Sequence, residues 1–488
     1  MRLFAIRQMT DIRERLRWLT VALVLVGSVG CAAGVAPAPA PAADTRAQAF
    51  VDTLQARTFV YFWETTNPRN GLAPDRWPNP PFASIAAIGF ALTAYPIGVE
   101  RGWVTRGDAA GRTLTTLRFM WGLPQGTDAT GLAGDRGFFY HFLDMETGLR
   151  YRNTELSTID TGLLLAGVLV AQQYFDGADA REIAIRAYAD SLYRRVEWPY
   201  FLRDQRPLIT MAWRPERGFG PAAYRGYDEA MILYVLALGS PTHPIEPAAW
   251  TAFTRTYEWA EFQGFTHVNF PPLFGHQYSH VFIDFRGIYD AYMRSRGIDY
   301  FENSVRATRS QREYAVANPG RWADYRADIW GLTASDGPTD TTIVIDGISR
   351  RFRTYWARGA AAPYINDDGT IAPTAAGGSI PFAPDITMRA LVAMRERYGE
   401  DLYTRYGFLD AFNPTLKDTT VRLRRGRIVA GTGWFDDNYI GIDQGPIVAM
   451  IENHRSGLLW ELMKKNPYIV RGLCRAGFTG GWIDGRCN

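Results

Sequence analysis

Residues 154–174 read TELSTIDTGLLLAGVLVAQQY and show the pattern that recurs along this chain. From Asp160 to Tyr174, apolar residues stand at i, i+3, i+4 and i+7, which predicts a helix with an apolar face in a core. Two acidic residues, Glu155 and Asp160, stand where that helix would begin. The segment therefore combines a buried helix with carboxylates at its amino-terminal end.

The same helical periodicity recurs in other segments, separated by Gly-, Pro- and aromatic-rich loops. They are Ile85–Tyr95, Thr113–Trp121, Ala180–Val196, Asp228–Leu238, Ala248–Ala260, Phe285–Arg296, Tyr300–Ala315, Pro384–Arg397, Ile442–Glu452 and Gly457–Met463. About a dozen helices without a composition shift predict one all-α domain, an (α/α)6 toroid or barrel of six helical hairpins with long rim loops. An open helical solenoid is the alternative. Residues 341–348 predict a short β-hairpin on the rim.

The composition excludes several classes of protein. The chain has 488 residues, of which 47% are hydrophobic and 21% charged, as in a globular protein rather than a disordered or fibrous one. The formal net charge is +3 and no basic run alternates with aromatic residues, so nucleic-acid binding is not expected. The many aromatic residues suit a large core and also sugar rings; Tyr227 and Trp434 are candidates for such contacts.

The amino-terminal residues have the features of an export signal. Three arginines precede a short apolar run at 18–29, and small residues lead to Cys31. This pattern predicts a signal peptide at 1–30 and resembles a bacterial lipobox, in which Cys31 carries the lipid. Ordinary secretion is the alternative, because Ser28 stands where such boxes usually have leucine. We expect an exported protein, periplasmic or held at the outer membrane as a lipoprotein.

The residues from Cys31 onward predict a tether, one domain and a disulfide. An Ala/Pro-rich tether is predicted at 31–48, followed by a single domain at 49–488, and we expect the protein to be a monomer. With Cys31 used for the lipid, Cys474 and Cys487 remain, and in an oxidising compartment they predict a disulfide.

Three of the predicted inner helices carry carboxylates at their amino-terminal ends: Glu155 and Asp160, then Glu229, then Asp443. In a toroid the inner helices run parallel, so these ends collect at one mouth and distant carboxylates can share a cavity. The same acids also have structural interpretations, because Asp160 fits a capping box and the others complement helix dipoles. A general acid must keep its proton near neutral pH, so Glu229 would need burial to raise its pKa.

Residues 276–286, HQYSHVFIDFR, form a polar patch among aromatic residues. On one continuous helix, His276, His280 and Asp284 would share a face and could hold a metal ion. Two prolines and a glycine just before them favour a loop, so a sugar-binding site and ordinary structural contacts remain the other interpretations. We therefore predict no metal and no cofactor. The candidate substrate-binding residues of this patch are His276, Gln277, His280, Asp284 and Arg286.

Seven blocks of sequence are long enough to be distinctive. They are ELSTIDT (155–161), YDEA (227–230), LGSPTHP (238–244), HQYSHVFIDFR (276–286), GSIPFAP (378–384), YGFLDAFN (406–413) and IDQGP (442–446). Together they resemble the glycoamylase-like domain, glycoside hydrolase family 144 and its relatives, over nearly the whole mature chain. The resemblance implies an (α/α)6 barrel and an inverting, metal-free hydrolase of β-1,2-glucans, such as an endo-β-1,2-glucanase or a sophorose-releasing enzyme.

The resemblance also assigns roles to the acids. Glu229 resembles the acid carboxylate of the family, while Glu155 and Asp160 resemble acids that its activity also needs. Asp443 resembles a late aspartate proposed as base in a related family, and Asp436 and Asp437 are alternatives because they lie close in sequence.

Other functions remain open from sequence alone. Asp385 stands where the family pattern has Glu, so a sugar contact from that position is in doubt. The inserted-looking stretch Thr333–Thr370 leaves endo against exo action and product size open. The rivals are an exo-acting sophorose- or glucose-releasing glucosidase on another glucan, a sugar-binding lipoprotein without catalysis, and a polysaccharide lyase using Tyr278 and His280.

Overall fold

The computed structural model describes residues 42–80, 82–203 and 206–487. Residues 43–488 form one compact unit. The helices of the described part are α1 (Ala42–Thr65), α2 (Ile85–Glu100), α3 (Arg106–Gly122), α4 (Thr158–Tyr174), α5 (Ala180–Arg194), α6 (Met231–Gly239), α7 (Ala248–Thr254), α8 (Tyr278–Phe282), α9 (Ala291–Arg296), α10 (Tyr300–Ala317), α11 (Pro373–Gly377), α12 (Pro384–Tyr398), α13 (Gly441–Arg455), α14 (Leu458–Lys465) and α15 (Pro467–Arg475).

Strands are two to four residues long and pair antiparallel in sheets of two or three strands. They are β1 (Arg76–Trp77), β2 (Ala83–Ser84), β3 (Gly134–Asp135), β4 (Phe138–Phe139), β5 (Phe142–Leu143), β6 (Leu156–Ser157), β7 (Leu202–Arg203), β8 (Arg206–Ile209), β9 (Ala212–Arg214), β10 (Gly218–Phe219), β11 (Trp259–Phe262), β12 (Phe265–Val268), β13 (Ala334–Ser335), β14 (Thr342–Ile345), β15 (Ile348–Arg351), β16 (Trp356–Ala357), β17 (Gly359–Ala360), β18 (Ile365–Asn366), β19 (Tyr403–Thr404), β20 (Gly407–Phe408), β21 (Phe412–Asn413), β22 (Arg427–Val429), β23 (Gly433–Phe435) and β24 (Tyr439–Ile440).

Six helices form a closed inner ring. Helix α2 packs on α4, α4 on α6, α6 on α8, α11 on α13, and α13 returns to α2. Between α8 and α11, the Gln277 side-chain amide donates to the Ala375 carbonyl at 2.9 Å. Each inner helix follows an outer helix in the chain, namely α1, α3, α5, α7, α10 and α12. The predicted toroid of six helical hairpins is confirmed.

Inner helices α2 and α4 are largely apolar around their circumference and are covered on both faces. Helices α2 and α4 are buried along nearly their whole length, as expected of helices enclosed by a core. They approach so closely that a Cβ atom on Gly167 would lie 2.0 Å from the Gly89 carbonyl oxygen. Glycine at both positions therefore permits this contact.

The structure refines several predicted boundaries. Helix α6 begins at Met231, so the Asp228–Ala230 stretch is a turn in front of it. The segment predicted as helix to Ala260 leaves the helix after Thr254 and enters β11, which pairs with β12 across a turn at Gln263 and Gly264. The hairpin predicted at 341–348 is present as β14 and β15. The departure before Ala260 occurs because the cross-strand hydrogen bonds of β11 and β12 replace those of a helix.

Four further observations complete the description of the fold. Helix α1 begins at Ala42, so the last residues of the tether predicted at 31–48 are helical instead. The predicted signal peptide at 1–30 and the predicted lipid site at Cys31 lie outside the described residues. Within the described part, no helix combines the length and apolar character needed to cross a bilayer. A disulfide joins Cys474 to Cys487 and ties the tail to α15.

Candidate active site

A cavity of about 340 Å³ opens where the amino-terminal ends of the inner helices meet. Ser84 and Asp160, at the starts of α2 and α4, line it, as do Glu229 before α6, Tyr278 in α8 and Ile442 in α13. The other lining residues are Asp75, Arg76, Phe82, His141, Phe142, Ile159, Leu163, Phe274, Ala334, Tyr355 and Ile440. The toroid thus gathers carboxylates from distant parts of the chain at one mouth.

Glu229 has the properties of a general acid. It stands in the turn before α6, where the Ser279 hydroxyl donates to its backbone carbonyl at 2.9 Å. The same hydroxyl accepts from the Ile232 backbone N–H at 3.0 Å, so α8 anchors the start of α6. Burial, with the negative charge of Asp160, raises the pKa of Glu229 to about 7. The carboxyl group therefore holds a proton near neutral pH and can donate it.

Asp160 lies in the first turn of α4 and faces the cavity, while Ser157 is the N-cap of the helix. The Ser157 hydroxyl accepts from the Asp160 backbone N–H at 3.3 Å, as expected of a capping residue, and donates to the Asp160 carboxylate. His141 approaches the same carboxylate, with 3.5 Å between Nε2 and Oδ2. Glu155 lies beside them, bonded to His141 at 3.0 Å and to Arg214 at 2.7 Å. The carboxylate that bonds Ser157 at the start of α4 therefore also faces the cavity.

Asp443 lies in the first turn of α13 and is only 2% exposed. It is not among the residues that line the cavity, although its neighbours Ile440 and Ile442 are. Burial raises the pKa of Asp443 to about 8, while a hydrogen bond with Asp410 opposes the rise. The structure therefore places Asp443 just behind the cavity wall.

Three further carboxylates, Asp336, Asp410 and Asp436, form a buried group next to Asp443. One oxygen from each lies within 4.8 Å of the other two, which is the one arrangement in the described residues close enough to hold a metal ion. Arg76 binds Asp336 at 2.6 Å and partly neutralises the group. Burial and mutual repulsion raise the pKa of Asp410 and of Asp436 well above the ordinary value. Protonation is therefore a second way in which this charge is reduced.

Two comparisons with known proteins bear on this geometry. A family model described as "Putative glucoamylase" matches residues 222–467. A structure of a putative glucoamylase from Bacteroides uniformis is 32% identical and superposes with a TM-score of 0.74, covering 90% of this chain and 98% of that one. The chain belongs to the glycoamylase family. The resemblance drawn from the seven sequence blocks is confirmed.

Two other relatives of this glycoamylase-family chain have more specific names. An endo-β-1,2-glucanase from Chitinophaga pinensis, in complex with sophorotriose and glucose, is 28% identical with a TM-score of 0.75, covering 89% of this chain and 99% of that one. An exo-β-1,2-glucooligosaccharide sophorohydrolase (non-reducing end) from Parabacteroides distasonis is 29% identical over 457 residues, or 87% of this chain. The chain spans 57% of the length of that curated relative.

In this glycoamylase-family chain, the five predicted sugar-binding residues of the patch at 276–286 lie outside the cavity lining, and only Tyr278 of the patch reaches it. His276 and His280 are fully buried, and bond to the Phe270 carbonyl and the Ser304 hydroxyl at 3.1 Å each. A short 3-10 helix at Leu273–His276 precedes α8, which breaks the continuous face needed for a metal site. The Tyr278 and His280 pair of a lyase is not formed either, since only Tyr278 lines the cavity.

The other candidates of that patch are held by the scaffold. Gln277 joins α8 to α11, as described above, and Asp284 pairs with Arg286 at 2.7 Å and with Lys464 at 2.9 Å. The sequence predicts these residues as sugar contacts because they are polar. In the folded protein, their polar atoms instead form hydrogen bonds and ion pairs with other protein groups.

The two aromatic candidates and the late acids also lie apart from the cavity lining. Tyr227 is 1% exposed, and its ring stacks on that of His276 with 4.7 Å between centroids. Trp434 is fully buried and donates from Nε1 to the Arg425 carbonyl at 2.8 Å. Asp437 is exposed, whereas Asp436 belongs to the buried group described above. Asp385 lies on outer helix α12 and pairs with Arg309 at 2.8 Å.

Sequence reasoning missed several residues of the cavity, among them Asp75, Arg76, His141 and Tyr355. None of these four belongs to a periodic helix or to one of the seven blocks. Asp75 and Arg76 lie in the connection between α1 and α2, and Tyr355 follows β15. In the sequence, these four residues are recognisable only as charged, polar or aromatic residues in loops. Many other residues of this chain fit that description, so it does not single them out.

Proposed function

We propose that this protein is a glycoside hydrolase that cleaves β-1,2-linked glucans by an inverting acid/base reaction. The observation that carries the proposal is Glu229, a carboxyl group with a pKa of about 7 in a cavity lined by further carboxylates. The substrate class follows from the relatives named endo-β-1,2-glucanase and sophorohydrolase. The aromatic side chains around the cavity suit the faces of sugar rings.

In the proposed reaction, Glu229 donates its proton to the glycosidic oxygen as the bond to the leaving sugar breaks. A water molecule attacks the anomeric carbon from the opposite face, and a carboxylate takes the proton that this water loses. Inverting enzymes place the two carboxyl groups roughly 6.5–9.5 Å apart to leave room for the water. Glu155 and Asp160 would accept hydroxyl groups of the sugar units beside the scissile bond.

We assign the base to Asp443, acting through an intervening sugar hydroxyl or water molecule because it lies behind the cavity wall. With pKa values of about 7 for Glu229 and about 8 for Asp443, a protonated acid with an ionised base is a minority form of the free protein. A bound sugar that donates a hydroxyl to Asp443 would favour the ionised base. Asp75 is the alternative, since it lines the cavity and Arg76 and His141 act against the rise in its pKa caused by burial.

The test is to incubate the purified protein with linear and cyclic β-1,2-glucans, sophoro-oligosaccharides, and α-1,4- and β-1,3-glucans as comparison substrates. We expect cleavage of β-1,2 linkages and, in proton NMR, the α-anomer as the first product. A β-anomer formed first would contradict inversion, and cleavage of another linkage alone would contradict the substrate class. A sugar-binding protein would bind without products, and a lyase would give an unsaturated product that absorbs in the ultraviolet. Product lengths over time separate endo from exo action.

We also propose export and a lipid anchor at Cys31, with the protein a monomer at the periplasmic or outer-membrane surface. Support comes from the apolar run at 18–29, and from the Cys474–Cys487 disulfide, which suits an oxidising compartment. Mass spectrometry of the mature amino terminus should find a lipid on Cys31, and Cys31→Ala should release the protein from membranes. Light scattering during size-exclusion chromatography tests the monomer.

A further inference from the structure

His141 lies in the cavity wall between two acids that the sequence marks as functional. Its Nδ1 is 3.0 Å from Oε1 of Glu155, and its Nε2 is 3.5 Å from Oδ2 of Asp160. The ring also stacks on Phe142, with 3.9 Å between centroids. Both ring nitrogens therefore face carboxylate oxygens, which only accept hydrogen bonds. An imidazole satisfies two such acceptors at once only when both nitrogens carry a proton.

The backbone around His141 fixes this position. Its N–H donates to the Glu155 carbonyl at 2.8 Å, and its own carbonyl accepts from the N–H of Ile85, the first residue of α2. Each acid has a further donor. Arg214 donates to Oε2 of Glu155 at 2.7 Å, and Ser157 donates to Oδ2 of Asp160, the oxygen that His141 also approaches. Through its backbone and its ring, His141 thus joins the starts of α2 and α4.

We propose that His141 is a positioning residue that, as an imidazolium, holds Glu155 and Asp160 as oriented anions ready to accept hydroxyl groups of a bound sugar. The proposal rests on the proposed function for the identity of that ligand. No proton transfer to the substrate is assigned to His141. Its effect reaches the reaction through Asp160, whose negative charge helps Glu229 to keep its proton.

The charges around the ring support this role. Burial alone would lower the pKa of His141, but Asp160, Glu155 and Asp75 raise it to about 9. In turn, His141 and Arg214 outweigh burial and lower the pKa of Glu155 to about 2. The facing groups come from the connection after α1 (Asp75), from the start of α4 and the residues before it (Asp160, Glu155), and from β9 (Arg214). Because three carboxylates face His141, its charge persists across neutral pH.

The first test needs no substrate. In the full-length protein, NMR titration of the histidine ring protons should give a pKa of about 9 for His141. Glu155→Gln should lower that pKa, because one of the facing anions is removed. The exposed His243 on the loop after α6 lies outside the cavity lining and serves as the control for resonance assignment. A His141 ring that titrates near 6.5, the ordinary histidine value, would overturn the proposal whatever the enzyme's substrate proves to be.

The second test uses kinetics. His141→Asn should raise KM for sophoro-oligosaccharides severalfold with a smaller change in kcat, because Glu155 and Asp160 lose the donor that orients them toward the hydroxyl groups of the sugar. His141→Arg, which keeps the charge and two donors, should return part of that increase, and His243→Asn should leave KM unchanged. A loss of kcat with unchanged KM would mean that His141 only packs. If wild-type protein cleaves no glucan, the proposed function fails while the NMR test still stands.

Discussion

Glu229→Gln tests the proposed reaction most directly. The substitution keeps the size of the side chain and its position before α6 but removes the proton that leaves with the sugar. A carboxyl group with a pKa of about 7 is half protonated at pH 7, whereas one at the ordinary 4.5 would be protonated in only about 0.3% of molecules. Burial beside Asp160 thus raises the active fraction by roughly 150-fold before any chemistry occurs. Loss of the acid should lower turnover of β-1,2-glucan by about 10²–10⁴-fold.

The pH dependence follows from Glu229 and the assigned base, Asp443. Activity requires the protonated acid and the ionised base, so wild-type kcat/KM should rise as pH increases to about 7 and fall above about 8, the pKa values of Glu229 and Asp443. The assay compares a sophoro-oligosaccharide with an aryl sophoroside whose phenol leaves without protonation. Glu229→Gln should be much less impaired on the aryl substrate. Asp385→Asn, on an exposed acid of outer helix α12, is the matched control and should behave as wild type.

Two results would refute this reasoning. Near-normal turnover of the natural linkage by Glu229→Gln would show that another group donates the proton. Equal impairment on both substrates would show that the side chain binds or shapes the cavity instead of acting as an acid. Circular dichroism and thermal melting of the variant separate either result from a failure to fold.

Further substitutions test the base, the stability, the cleft and the tail. Azide should restore turnover to Asp443→Asn by replacing the activated water and giving an α-glycosyl azide; restoration of Asp75→Asn instead would move the base to Asp75. Burial raises the pKa of Asp443 to about 8, so the stability that its protonated form contributes is lost as pH rises from about 4 through 8. Asp443→Asn should therefore increase the melting temperature more at pH 8 than at pH 5. An equal change at both pH values would contradict this reasoning. Tyr355 lines the cavity with 51% of its surface exposed. Tyr355→Ala should therefore raise KM for longer oligosaccharides severalfold, while Tyr355→Phe should change KM little. An unchanged KM in both variants would show that Tyr355 is not part of the binding surface. Removing the 13-residue Cys474–Cys487 link by a double serine substitution should cost about 3 kcal/mol in urea unfolding, and no loss would mean that the tail adds nothing to stability.

The sequence by itself determined the toroid and the acids at its mouth. Helices such as α4 bury one or more faces in a regular period, and that period is written in consecutive residues. Parallel inner helices then bring their amino-terminal ends together. The sequence therefore predicts that Asp160 and Glu229 share one cavity. The disulfide partners also followed from a local count of cysteines.

Only the tertiary structure decided which polar residues face the cavity. His276, Gln277 and His280 look like a binding patch in sequence, yet the ring of helices encloses them and uses their polar atoms as internal links. His141 has no motif of its own, but folding brings it between Glu155 and Asp160 and makes it a cation. The raised pKa of Glu229 likewise depends on the tertiary structure. Burial and the distances between charges depend on segments far apart in the chain, and no local pattern encodes them.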